Sequence, residues 1–314
     1  MPPAIFSSRA RLLRAGAACA VLLALAGYVV AHLLTGGGGP PRCFARTEGE
    51  SVALDPEQAV NAATITAVGS ARGLPQRAVT IALATAMQES GLRNIKRGDR
   101  DSLGLFQQRP SQGWGTEEQI LDPVYSAGAF YDQLVLVPGY SRLPLTVAAQ
   151  RVQRSGYPQA YAKHETEAVV LTEVLTGRAD GAFSCPGPPD DGTAGDPARV
   201  REVLREEFGP RVTAPAGTAP EGEPAGPGGD PADGGAGADR DDDRVLVVPV
   251  RGTDGDDAPR RGWELAHWAV AHSAELRIER VSYRGREWSA RDSGKGWRNT
   301  GRAPEHDVRI TVAH

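Results

Sequence analysis

The chain has 314 residues, with 24 prolines and 38 glycines, which is room for two modest domains and a good deal of linker. Its formal net charge of −4 gives no reason to expect a nucleic-acid partner. Its three cysteines form no C-x-x-C pair, so no metal is expected.

Residues 1–14 read as a basic tail carrying Arg9, Arg11 and Arg14, followed by a run at 15–34 without Asp, Glu, Lys or Arg. A helix of that length covers about 30 Å, the thickness of the hydrocarbon core. The arginines would hold the tail in the cytoplasm. The expectation is a single-pass cell-membrane protein with most of its chain extracytoplasmic. A cleaved signal peptide is the alternative, although no small-x-small site follows Leu34. Either route exports the remainder. Cys19 falls inside the apolar run as a packing residue, whereas Cys43 and Cys185 lie beyond it. In an oxidising compartment these two are expected to form one disulfide closing a long loop, worth about 2–4 kcal/mol. Two free thiols are the alternative.

Residues 35–50 read as linker and 51–185 as a mostly helical domain. Asp55-Pro56-Glu57 starts a helix running to about Ala71. Pro75 opens a second helix whose Ala78, Val79, Ile81, Ala82, Leu83, Ala84, Ala86 and Met87 are apolar around most of the surface, the mark of a buried helix ending near Gly91. Residues 93–115 read as loop, with one short strand-like piece from Leu103 to Gln107; further helices are expected at 122–136, 145–155 and 164–176. From 186 to 243 Pro, Gly, Asp and Ala dominate, the composition of a disordered linker, interrupted by a helix at 197–208 with Val200, Val203, Leu204 and Phe208 on one face. Residues 244–314 then read as a small α+β accessory domain, rich in tryptophan.

The chemistry concentrates where the apolar helix ends. Glu89 is the only carboxylate of that helix. A carboxylic acid at the buried end of an apolar helix is poorly solvated as an anion. It therefore holds its proton toward neutral pH and can give it to a leaving glycosidic oxygen. Gln88-Glu89-Ser90-Gly91-Leu92, followed by Gly104-Leu105-Phe106-Gln107, resembles the soluble lytic transglycosylase and goose-type lysozyme family. There a Glu-Ser pair at a helix end precedes Gly-Leu-Met-Gln. The longer stretch from Gln88 to Thr116 also resembles lysozyme-like domains of actinobacterial surface proteins.

The resemblance covers about residues 50–180 and implies a lysozyme-like helical domain with Glu89 as acid and base. Ser90, Gly104, Leu105, Phe106, Gln107, Trp114 and Gln153 are the expected substrate-binding residues. Phe106 stands where the family commonly has Met. Trp114 offers an indole face for a sugar ring, and the glutamines offer amides for its hydroxyl and acetamido groups. The family's Ala-Tyr-Asn motif is not found; the matching stretch is taken as residues 149–155, with Gln153 for the asparagine and nothing for the tyrosine. Asp99 and Asp101 are candidates for a second carboxylate, which a water-using inverting enzyme places roughly 6.5–9.5 Å from the acid.

The stretch from Trp268 to Val312 resembles a C-terminal domain of wall hydrolases related to zinc D,D-peptidases. Asp307-Val308-Arg309 stands where such peptidases carry a zinc-binding His-x-His, and arginine cannot replace that ligand.

The resulting expectation is a cofactor-free peptidoglycan glycosidase. It would cleave between N-acetylmuramic acid and N-acetylglucosamine, as a lytic transglycosylase with a single Glu. The alternatives are a hydrolysing lysozyme using a loop Asp and a catalytically silent cell-wall-binding protein. Expected partners are glycan strands, a membrane through the N-terminal helix, and no nucleic acid; the sequence names no protein partner for the last domain.

Overall fold

The computed structural model describes residues 6–34, 40–154, 158–213, 242–250, 257–304 and 306–314. Its packing divides into Met1–Pro41 and Arg42–His314. The first unit contains one helix, α1 (Phe6–Leu34). Of the span expected to be a membrane anchor, the side chains of residues 15 and 31–34 lie outside the described residues. Among the described residues no helix is long and apolar enough to cross a membrane. The transmembrane anchor is thus not supported.

The second unit opens with strands, not linker. β1 (Cys43–Arg46) pairs antiparallel with β2 (Ser51–Leu54), and β3 (Phe183–Ser184) adds to the other edge of β1. The linker expected at 35–50 is corrected at this point. Only Cys43 and Ala45 face inward, too short a period-two pattern to read beside the glycine-proline run that precedes it. The disulfide between Cys43 and Cys185 is present, with an S–S distance of 2.04 Å and a sequence separation of 142. It ties β1 to the residue following β3.

Helices fill the interval: α2 (Pro56–Ala71), α3 (Gln76–Ser90), α4 (Glu117–Leu121), α5 (Pro123–Val135), α6 (Leu145–Gln153) and α7 (Glu165–Leu175). α3 is central, packed by α2, α5, α6 and α7. Its Ala78, Ala82, Ala84 and Ala86 are fully buried, and such small side chains let neighbouring helices approach closely.

α8 (Pro197–Phe208), β4 (Val245–Val248), α9 (Asp257–Ala271), β5 (Ile278–Tyr283), β6 (Arg286–Ser289), β7 (Arg298–Asn299) and β8 (Val308–Val312) complete the unit. The strands form an antiparallel sheet in the order β4-β8-β5-β6-β7. α9 touches β5 and β8 as well as α2 and α7, and every residue from Gly262 to Ala271 is buried. α9 therefore joins helices and sheet into one core, and residues 42–314 form one compact unit.

Polar contacts cross the same seam. Ser70 donates to Glu264, and Glu207, 5% exposed, accepts from Thr64 (3.0 Å) and Trp268 Nε1 (2.7 Å). His272 Nε2 lies 3.2 Å from the same carboxylate. Burial opposes protonation of His272, but the charge and hydrogen bond of Glu207 outweigh it and hold the imidazole above its ordinary pKa.

The expected disordered linker at 186–243 is corrected in its first half. Residues 186–213 are ordered against the sheet: Gly195 donates to Ala313 O (3.0 Å), and Arg277 bonds Pro189 O (2.9 Å) and the Asp191 carboxylate. Proline-rich chain has little apolar surface of its own. Here it borrows order from the residue just past β8 and from an arginine of the sheet domain. Residues 214–241 lie outside the described residues.

Candidate active site

α3 stops because Gly91 takes a left-handed conformation (φ 62°), with Gly91 N–H bonded to Met87 O and Leu92 N–H to Ala86 O. This double closure turns the chain sharply just past Glu89. Glu89 is half-buried on the last turn. Tyr161, fully buried in the 3-10 turn Pro158–His164, donates its hydroxyl to Glu89 Oε1 at 2.6 Å. Tyr161 was not among the residues singled out from the sequence. The Ala-Tyr pair itself was the signal, lying just past the stretch taken for the motif.

The following loop is built on Ser90, whose Oγ lies 2.7 Å from Leu105 O and 3.0 Å from Ala86 O. Paired backbone bonds link Leu103 with Gln108, and Gly104 N–H donates to Ile95 O. The strand-like piece expected at 103–107 is therefore two isolated bridges. Leu105 and Phe106 are fully buried, and Phe106 stacks on Phe130 with ring centroids 4.6 Å apart. Gly104 has φ 73°, and a Cβ there would sit 2.5 Å from Ile120 O.

These observations place four of the expected substrate-contact residues in the packed loop. Ser90, Gly104, Leu105 and Phe106 are buried in protein and shape the loop beside Glu89. A side chain at Gly104 would collide with the backbone of α4.

Gln107, Trp114 and Gln153 are partly exposed. Gln107 Nε2 donates to Gly104 O (3.1 Å), and Gln153 Nε2 donates to Phe106 O (2.7 Å), which secures α6 to the loop. Trp114 and Gln153 line one cavity of about 440 Å³ together with Gln112, Gln133, Arg151 and Arg154.

The two candidate second carboxylates are placed differently. Asp101 accepts from Ser111 N–H (2.9 Å) and Arg109 Nε (2.6 Å). Bonds from Ser111, and then from Arg109, hold its carboxyl well below the usual carboxylate range. Asp99 is a solvated loop tip, its side chain 94% exposed, with Arg100 Nε 4.0 Å away. Among the described residues no group of three or more His, Cys, Asp or Glu is arranged to hold a metal. In chemical terms the site offers one half-buried carboxyl group, oriented by a buried tyrosine, at the open end of a rigid helix.

Residues 198–307, 110 of the 314, match the family described as VldE, C-terminal domain. That stretch takes in α9 and β4 to β7 but neither Glu89 nor Tyr161. No curated protein matches the chain.

Proposed function

We propose that the protein cleaves peptidoglycan glycan strands between N-acetylmuramic acid and N-acetylglucosamine, with Glu89 as the single acid and base. The contact between Tyr161 and Glu89 carries this reading. The bond engages one carboxyl oxygen of Glu89, and the proposal assigns the other to proton donation.

Glu89 gives its proton to the glycosidic oxygen as the C1–O bond breaks through an oxocarbenium-like transition state. The Glu89 carboxylate then takes the proton of the muramyl 6-hydroxyl as that oxygen attacks C1, giving a 1,6-anhydro product and restoring the acid. Tyr161 donates to Oε1 throughout and so helps stabilise the carboxylate stage. No cofactor enters.

The engagement of Asp101 by Ser111 and Arg109, and the solvation of Asp99, favour this transglycosylase over a lysozyme that activates water with a loop aspartate. The disulfide supports an extracytoplasmic, oxidising location. Release of soluble muropeptides by wild type and its loss in Glu89→Gln tests the proposal; equal release by both variants contradicts it.

A further inference from the structure

A cavity of about 460 Å³ opens between α2, α8, the end of α9 and the start of α5. Val60, Val124, Val203 and Ala271 give it an apolar wall. Its polar wall is short of donors. Asn94 Nδ2 donates to Leu121 O (2.7 Å), while its Oδ1 is buried without a partner among the described residues. Asn61, 4% exposed, is oriented in the same way. Its Nδ2 donates to Leu92 O (2.8 Å), and its Oδ1 meets no donor among the described residues. The donors of the wall are already engaged. Thr64 and His272 both bond Glu207 Oε1, at 3.0 and 3.2 Å. Glu207 Oε2 accepts from Trp268 Nε1 and keeps capacity for one more bond.

Charge points in the same direction. Glu57, Asp122, Glu206, Glu207 and Glu275 line the cavity, against Arg199 and His272. Arg93 answers Glu57 (3.0 Å), and Asp122 caps α5. Arg199, however, is drawn to Glu202 (2.5 Å) and comes no nearer than 3.9 Å to Glu206. Glu275 meets Arg199 and His272 through charge alone. An occupant must therefore donate hydrogen bonds and carry positive charge. Among the described residues no group of three or more His, Cys, Asp or Glu is arranged to hold a metal, which favours an organic cation.

We propose that this cavity binds a small alkylammonium compound, its N–H groups bonded to the oxygens of Asn61, Asn94 and Glu207 and its chain laid on Val60 and Val203. A primary ammonium brings three N–H donors to these acceptors, which a quaternary ammonium lacks. Its charge meets the excess of carboxylates, and charge-assisted bonds of this kind are the strong ones. Glu89 does not line the cavity, and the inference does not depend on the glycosidase reading.

Calorimetric titration of the full-length protein with n-hexylammonium tests this, beside n-hexyltrimethylammonium, n-hexanol, a lysine-containing tripeptide and Ca²⁺. The primary amine should saturate the protein and bind at least about tenfold more tightly than the quaternary ion or the alcohol. Asn94→Ala and Asn94→Asp both lose the bond to Leu121 O and differ in the acceptor they leave. The first should weaken binding about tenfold, while the second should bind within about twofold of wild type or more tightly. Val60→Phe, which fills the cavity from a half-buried position of α2, should abolish binding, with thermal melts as the control for folding. No saturation by about 10 mM hexylammonium would overturn the proposal. So would equal binding of the quaternary ion or the alcohol, tighter binding of Ca²⁺ or of the tripeptide, or equal losses in the two Asn94 variants.

Discussion

Tyr161 donates its hydroxyl to Glu89 Oε1 across 2.6 Å, though 72 residues separate them in the chain. The bond holds the carboxyl group of a half-buried helix terminus in one orientation, which a solvated glutamate would not keep. Tyr161→Phe should therefore reduce the rate of muropeptide release by about 10–100-fold with a much smaller change in KM, since only a positioning bond is lost. Kinetics on purified peptidoglycan, with thermal melts as control, give the answer. A rate within twofold of wild type contradicts the assigned role.

The loop aspartates separate one mechanism from its rival. Asp101 is committed to Ser111 and Arg109, and Asp99 to water. Asp99→Asn should keep nearly full activity, and Asp101→Asn should cost at most about tenfold through a looser loop. A drop beyond about a thousandfold in either would identify a general base and make the enzyme a hydrolysing lysozyme.

Gly177 reports on whether 42–314 behaves as one unit. It follows α7 with φ 73°, and a Cβ there would lie 2.0 Å from Arg260 O and 2.5 Å from Glu264 N, both on α9. Gly177→Ala should destabilise by about 2–4 kcal/mol, because the backbone of one helix must move off the end of another. Calorimetry should show a single transition shifted downward. Two transitions, only one of them shifted, would mean that the sheet domain folds on its own.

His267 gives the unit a calculable acid sensitivity. Burial among Phe183, Trp263 and Trp297 pushes its imidazole down to about 4, despite the bond between Nδ1 and Val174 O at 2.8 Å. The unfolded chain, with an ordinary histidine near 6.5, binds the proton first as pH falls. Stability from this group is thus full above about pH 6.5 and lost as pH drops toward 4, by about 2–3 kcal/mol in all. His272, raised by Glu207, acts in the opposite sense, its contribution being present at low pH and lost as pH rises. Urea midpoints at pH 6.5 and 4.5 should therefore converge in His267→Gln relative to wild type. An unchanged difference between the two pH values would contradict the account.

The legible parts of the chain were those governed by local rules. The end of α3 at Gly91 follows from glycine's access to left-handed backbone, and the buried face of α8 from Val200, Val203, Leu204 and Phe208 at helical spacing. The hairpin at Cys43–Leu54 was not legible, because four-residue strands gain their meaning only from the disulfide and β3, far along the chain. The double use of α9 was hidden for a similar reason: an amphipathic pattern marks a buried face without saying how many partners cover it. At the site, Glu89 stood out as one acid on an apolar helix. An apolar residue in a polar loop, such as Phe106, can face a ligand or the core, and its stacking on Phe130 is not legible from the sequence. Tyr161 lay just past the stretch 149–155 that was weighed, and its partner is 72 residues away.

Mass spectrometry of purified peptidoglycan after incubation with the full-length protein, wild type against Glu89→Gln, tests the central claim most directly. The account predicts 1,6-anhydro-muropeptides from wild type alone. Reducing-end products would contradict the single-carboxylate mechanism, and equal products from the two proteins, or none from wild type, would contradict the role of Glu89 altogether.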